Sequence, residues 1–262
     1  MRRQLTIAGF AAVAALLQPQ LVDLASAQTD AEPVEITAQE GLEWRQKEKA
    51  LIAEGSVVLT RGTMKLQAET VSAYYRDNMT TAQQEVYRVD AAGGVRIASD
   101  GTTGYGDNAA YDLDQGVFVL SGGKPRLEAA ELTVTATQNL EYWEQKNLAI
   151  ARGGAVAESG DRKIAADILS AYVEPSGKDE GKLQRVEAIG AVVITTPDDT
   201  AKGKEAVYDA ASGLATLCGE VEIRRGDSVL RGKCAEVNLN TGVSRLIGGG
   251  GSVMGLMRQD GN

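Results

Sequence analysis

One signature recurs along the chain and limits what it can become: Gly-x-Val followed by an alternating hairpin. Its fullest copy spans Gly55–Glu69. Val57 and Leu59 alternate with Val58 and Thr60, and Met64, Leu66 and Ala68 alternate with Lys65, Gln67 and Glu69. Period-two alternation on both sides of a turn implies a β-hairpin with one buried face. Arg61-Gly62-Thr63 supplies the turn, where Gly62 can take the positive φ that a Cβ resists.

Further copies open at Gly93, Gly154, Gly190, Gly219 and Gly251, with a degenerate one at Gly122-Gly-Lys124. Successive glycines lie 38, 29, 32, 36, 29 and 32 residues apart. The unequal spacings recur in order, so a 97-residue duplication overlies the short period. Laid over 185–219 without a gap, residues 88–122 match at 14 of 35 positions, among them Gly93/Gly190, Val95/Val192, Ile97/Ile194 and Leu120/Leu217. Similar short β-repeats would not keep both the residues and the order of the spacings. The expected fold class is all-β, antiparallel, built from repeated hairpins over residues 34–257. The polar loop at residues 174–181 is the expected boundary between two parts, about 34–173 and 183–257. Pro125 falls where a first strand is due and cannot donate to a ladder, so that strand is expected to be an edge or bulged. Residues 258–262 are expected to be a frayed tail.

Residues 1–27 read as a secretory signal. Arg2 and Arg3 precede an apolar run, Ile7–Leu17, too short to span a bilayer comfortably, and Ala25-Ser26-Ala27 is a small-x-small cleavage site. An uncleaved anchor is the alternative. Residues 28–33 are a polar linker. The mature chain is thus expected outside the cytoplasm, in a Gram-negative periplasm.

Composition removes whole classes of function. The 27 basic and 36 acidic residues give a net charge of −9, which argues against a nucleic-acid partner. There is no histidine, so Ser-His-Asp and Cys-His nucleophilic sites and His-ligated zinc are excluded. Asp198-Asp199, Asp112/Asp114 and Asp179-Glu180 read as solvated turns, not metal sites, and no acid/base pair stands out. No metal, no cofactor and no enzymatic activity are expected; a carboxylate-based carbohydrate-active enzyme is the weakest alternative. Arg225-Gly-Asp-Ser228 reads as a hairpin turn. Gly248–Gly251 lacks the strand-loop-helix setting of a phosphate loop.

Cys218 and Cys234 flank that turn with their midpoint at residue 226, so a tight antiparallel hairpin would oppose them. Opposed positions come within about 4.5–5.5 Å, close enough for a disulfide. A small slip of register would put them on opposite faces, and two buried free thiols are the alternative.

The alternating apolar positions Val57, Leu59, Met64, Leu66, Val95, Ile97, Val117, Val119, Val192, Ile194, Val221 and Ile223 have two readings. One is an ordinary sandwich core. The other is a pair of inner faces that do not fully close and leave an apolar groove for acyl chains. Aromatics make up only 5% of the chain, which favours the second, because sheets about 10 Å apart need large side chains to fill the gap.

Gly55-x-Val57-x-Leu59-Thr60-x-Gly62-Thr63-x-Lys65-Leu66-x-Ala68-Glu69-x-Val71 resembles the OstA-like (LptA) family of periplasmic lipopolysaccharide-transport proteins. Weaker echoes at residues 164–172 and 185–208 extend the likeness over most of the mature chain. The resemblance implies an elongated, twisted antiparallel β-jelly roll that binds the lipid A part of lipopolysaccharide along its interior. It implies joining end to end through strand edges, here Val34, Ile36, Val253 and Leu256. Implied partners are lipopolysaccharide, the inner-membrane-anchored and outer-membrane transport proteins, and further copies of the chain head to tail. A β-repeat protein that self-assembles through its edges and carries nothing is the competing reading.

Overall fold

The computed structural model describes residues 35–77, 84–99, 101–174, 182–238, 241, 244–248 and 254–256. The expected signal segment 1–27, linker 28–33, tail 258–262, Val34 and Val253 lie outside the described residues. Among the described residues every long element is a strand. They are β1 (Glu35–Thr37), β2 (Gly41–Arg45), β3 (Ala50–Arg61), β4 (Met64–Asp77), β5 (Gln84–Ser99) and β6 (Thr102–Asp112). Next come β7 (Val117–Ser121), β8 (Arg126–Ala129), β9 (Leu132–Thr135), β10 (Asn139–Trp143), β11 (Leu148–Ser159) and β12 (Arg162–Val173). The series ends with β13 (Leu183–Thr195), β14 (Asp199–Asp209), β15 (Leu214–Arg225), β16 (Ser228–Asn238), β17 (Ser244–Ile247) and β18 (Met254–Leu256).

All pairings are antiparallel and the chain meanders, each rung pairing with the next. Four rungs are interrupted. β1 and β2 both pair with β3, β7 and β8 with β6, β9 and β10 with β11, and β17 and β18 with β16. Eighteen strands therefore form fourteen rungs.

The glycine signature sits in mid-rung, not at a hairpin turn. At Gly55-Ser56 two residues face only Glu69 of β4, and at Gly93-Gly94 two face only Asp107 of β6. Each is a β-bulge, which bends its strand. Gly55 has φ 83° and Ser56 φ 46°; Gly93 and Gly94 have 86° and 60°. A Cβ on Gly93 would also run into the side chain of Glu69 on the preceding rung. Both positive φ and close approach thus demand the glycine. The same two-against-one pattern recurs at Gly153-Gly154, Gly190-Ala191 and Gly219-Glu220. The fourth copy is therefore one residue earlier than the expected Gly154-Ala-Val156. Gly153 takes the bulge (φ 87°), and Ala155, wholly buried, stands where the other copies have valine.

Because the bulges stack from rung to rung, the whole sheet folds along one elbow into two layers, the jelly roll. One layer holds residues before each bulge in odd-running strands; the other runs to the hairpins at Gly62, Gly160 and Gly226. Leucines close the elbow from inside. Leu120 lies over Gly106, whose Cβ would fall 3.0 Å from Leu120 Cδ1. Leu217 stands in the same relation to Gly203 (2.7 Å) and Leu246 to Gly232 (2.6 Å). A leucine and a glycine divide the space that two ordinary side chains would overfill. Pro125 sits buried in the break between β7 and β8, where no ladder bond is asked of it.

Candidate functional site

Three lines of directly opposed residues run across the rungs on the concave side. In the layer beyond the elbow, the line starts at Ile36 and passes through Leu59, Leu66, Ile97 and Gly104 to Leu127. It continues through Val134, Ala157, Ile164, Ile194, Ala201 and Ile223 to Leu230 and Gly255. In the other layer one line runs from Leu42 through Ala53, Val71, Ala91 and Ala109 to Leu120, then onward to Leu246. The third line starts at Trp44, Leu51, Ala73 and Val89 and ends at Val237 and Ser244. No charged residue interrupts any of the three. Fourteen rungs at about 4.8 Å each make an apolar track of roughly 60 Å.

Burial is graded away from the elbow. Val57, Val95, Val192 and Val221 at the elbow are at most 1% exposed and are sealed core. Leu59, Ile164, Ile194 and Ile223, two positions nearer the hairpins or opposite them, are only half-buried, and so is Met64. In the first half of the track Leu66 and Ile97 are buried. The expected lining residues thus divide into sealed and accessible sets along the same strands. Val117 and Val119 belong to neither. They alternate with Phe118 and Leu120, which pack on the core, so they lie on the opposite face of β7, where Val117 is nevertheless only 9% exposed; Phe118 and Leu120 are the residues of this strand on the concave side. Leu127, Leu132 and Val134, not among the expected residues, are interior as well. The core itself is two main clusters, one from Ala53 to Leu120 and one from Leu127 to Ala235, bridged by Leu140.

Cys218 and Cys234 are directly opposed on β15 and β16 and joined by a disulfide. Both alternate with inward Leu217 and Ala235, so the bond staples the outer face. Of the acidic turns, Asp179-Glu180 lies outside the described residues, while Arg76 holds Asp114 at 2.7 and 2.8 Å and Arg225 pairs with Asp199. These guanidinium bonds hold both carboxyls below their usual range. No metal-binding cluster occurs among the described residues. Depressions lined by Trp44, Gln46, Lys49, Tyr75, Asp77 and Gln84, and by Asp114, Gln115, Trp143, Gln145 and Lys146, lie at the hairpin ends of the first layer, the former beside the start of the third line at Trp44.

A part-buried polar pair borders the third line. Tyr111 Oη donates to Glu144 Oε1 at 2.8 Å. Burial pushes the Glu144 carboxyl up, against the lowering effect of that bond. Burial and the Glu144 bond push the Tyr111 phenol up, and burial, with the Glu144 charge second, takes Tyr142 to about 12. The two phenols stay neutral near pH 7.

The rungs at the two ends are each paired on one side only among the described residues. β1 and β2 bond to β3, and β17 and β18 to β16. Ile36 and Leu256 lie in these edges, opposite Leu59 and Val229. Leu42 and Trp44 on β2 are 54% and 59% exposed, the start of the apolar track laid open at its first rung.

A folded antiparallel roll with a charge-free concave track and open terminal edges defines a β-jelly-roll protein of the kind that the repeat suggested. The model of the family described as LptA/(LptD N-terminal domain) LPS transport protein matches residues 35–138 and again 133–243. The chain belongs to that family. The two matches overlap at residues 133–138, on β9 and the turn that follows it. Among solved structures, LptH, the LptA-homologous periplasmic component of the lipopolysaccharide transport device of Pseudomonas aeruginosa, is 14% identical. It aligns over 49% of this chain and 95% of its own, with a TM-score of 0.42. A search of curated proteins finds no match.

Proposed function

We propose that the mature chain is a periplasmic carrier that takes the lipid A part of lipopolysaccharide from the inner toward the outer membrane along the concave track. The observation that supports it is the graded burial: an elbow sealed by valine, bordered by half-buried Leu59, Ile164, Ile194 and Ile223 that hydrocarbon would cover. Each CH₂ so covered contributes about 0.8 kcal/mol, so several acyl chains bind firmly although the protein is acidic. No energy source is needed within the chain, because each rung offers the lipid a site much like the last. The open edges at Ile36 and Leu256 would pair with the inner-membrane-anchored and outer-membrane transport proteins, or with a second copy head to tail, by strand addition.

Expression of the chain with its leader in a lipopolysaccharide-making host tests the proposal. The purified mature protein should carry acylated glycolipid by mass spectrometry. If it carries none and takes up none on titration, a self-assembling β-repeat protein without cargo is the better reading.

A further inference from the structure

Half-buried Leu59 and Ile164 are each separated from their hairpin turn by an arginine that shares their face of the strand. Arg61 lies two residues beyond Leu59 on β3, and Arg162 two residues before Ile164 on β12. Arg61 is opposed to Met64, which packs on the core, and Arg162 to Ser159, so register puts both on the concave side, at its rim. Both are exposed, and neither has a carboxylate partner among the described residues. Beyond Ile223 the corresponding residue is Arg225, but there Asp199 neutralises it. On the outer face of the other layer Arg45, Arg88, Arg152 and Arg185 are likewise ion-paired. The two layers approach each other at this rim. Burial raises the Tyr111 phenol, and the Arg61 charge, reaching across from the opposite layer, works against it.

The outer faces of the two layers differ in sign. On the layer that ends in the Gly62 and Gly160 hairpins, one line across the rungs carries Arg96, Arg126, Lys202 and Arg231 against Glu222 alone. On the other layer a line carries Glu43, Asp90, Glu141, Glu187 and Glu236 against Arg245 alone. The lines that flank these are near balance. An anionic group at the rim is thus drawn toward the first layer and repelled from the second, although the whole chain carries −9. Resting on the carrier reading, we infer that Arg61 and Arg162 are subsites for phosphate on the sugar head of the glycolipid. Acyl chains lie over Leu59 and Ile164, and the guanidiniums, one step nearer the opening, hold phosphate by bidentate, charge-assisted hydrogen bonds. In this layer β3, β4, β5, β6, β8, β9, β11 and β12 follow one another, so about seven spacings of about 4.8 Å, roughly 34 Å, separate the two arginines. They serve successive stations of a travelling lipid, not one head group.

The test titrates the full mature chain with short-sugar lipopolysaccharide, intact and after phosphatase treatment, with binding read by native mass spectrometry. The unsubstituted chain should bind the phosphorylated form at least about tenfold more tightly. An Arg61→Gln, Arg162→Gln double variant should lose that preference and bind the dephosphorylated form as the parent does. Both residues are exposed beside hairpin turns, so the fold should survive, which a melting curve checks. An Arg88→Gln, Arg185→Gln control removes equal charge from the other layer and should keep the preference. Equal affinity of the parent for the two glycolipids overturns the phosphate subsites while leaving the carrier intact. So does a preference that survives the double variant, or one that the control loses equally. Inorganic phosphate alone, at matched ionic strength, should not bind; an ion held at Arg61 or Arg162 would make these free-anion sites and overturn the proposal too. Binding of neither glycolipid removes the carrier reading, and the subsites with it.

Discussion

Val192 and Ile194 lie two residues apart on one face of β13, and the grading of burial predicts opposite outcomes for the same substitution. Val192 is 1% exposed at the elbow, opposite Gly203 and beneath the leucines that close it. Val192→Asp forfeits about 1.5–3 kcal/mol of apolar burial. It also buries a carboxyl with no partner, at a further cost of roughly 1–3 kcal/mol even when protonated. A total of about 2.5–6 kcal/mol is a large share of the 5–15 kcal/mol that holds a typical domain. Ile194 is half-buried between Ile164 and Ala201, so an aspartate there keeps its carboxylate in water and costs on the order of 1 kcal/mol in folding. Acyl chains laid over that carboxylate would have to desolvate it, which costs several kcal/mol and weakens binding at least about a hundredfold. Urea unfolding followed by far-ultraviolet circular dichroism, with glycolipid binding by native mass spectrometry, separates the two. Val192→Asp should unfold early; Ile194→Asp should fold and lose the lipid. Equal destabilisation of both, or an Ile194→Asp chain that binds as before, would refute the division into sealed and accessible residues.

Gly93→Ala should cost about 2 kcal/mol or more in urea unfolding, from its φ of 86° and the encounter with Glu69; Gly101→Ala, at φ 79° with open space around it, should cost only about 1 kcal/mol, and equal losses would count against a bulge at Gly93. The Cys218→Ser, Cys234→Ser double variant should lose about 3 kcal/mol, as expected for a bond between residues 16 apart, and reduction of the parent should reproduce its melting curve. Glu144 has a folded-state carboxyl raised by burial, so its contribution to stability is full below its ordinary value of 4.5 and is lost as pH rises through the raised value. Glu144→Gln, which can still accept from Tyr111, should therefore be more stable than the parent at neutral pH. That gain should disappear below about pH 4.5. A difference that stayed constant across the pH range would remove burial as the cause.

What could be read before the fold was in hand, and what could not, follows from how bulges act on alternation. Around Gly62 each strand alternates cleanly and the hairpin emerges directly from the residues. The duplication was legible because both copies must satisfy the same elbow: Leu120 and Leu217 match since each must lie against a glycine of the preceding rung. The phase of the fourth copy was not legible, because Gly153 and Gly154 both suit a positive φ and only pairing with Asp167 distinguishes them. Nor was the inward face of β7, since Val117-Phe118-Val119-Leu120 is apolar on both faces and periodicity cannot choose between them. The Leu120/Leu217 match held the answer: a residue matched to one that closes the elbow must itself point inward, which places Phe118 on the concave face and Val117 on the opposite one. A low aromatic content, taken as a sign of an unfilled interior, likewise conceals where the few rings are. Tyr111, Phe118 and Tyr142 come from three separate strands, and only the register of β6, β7 and β10 brings them into one row.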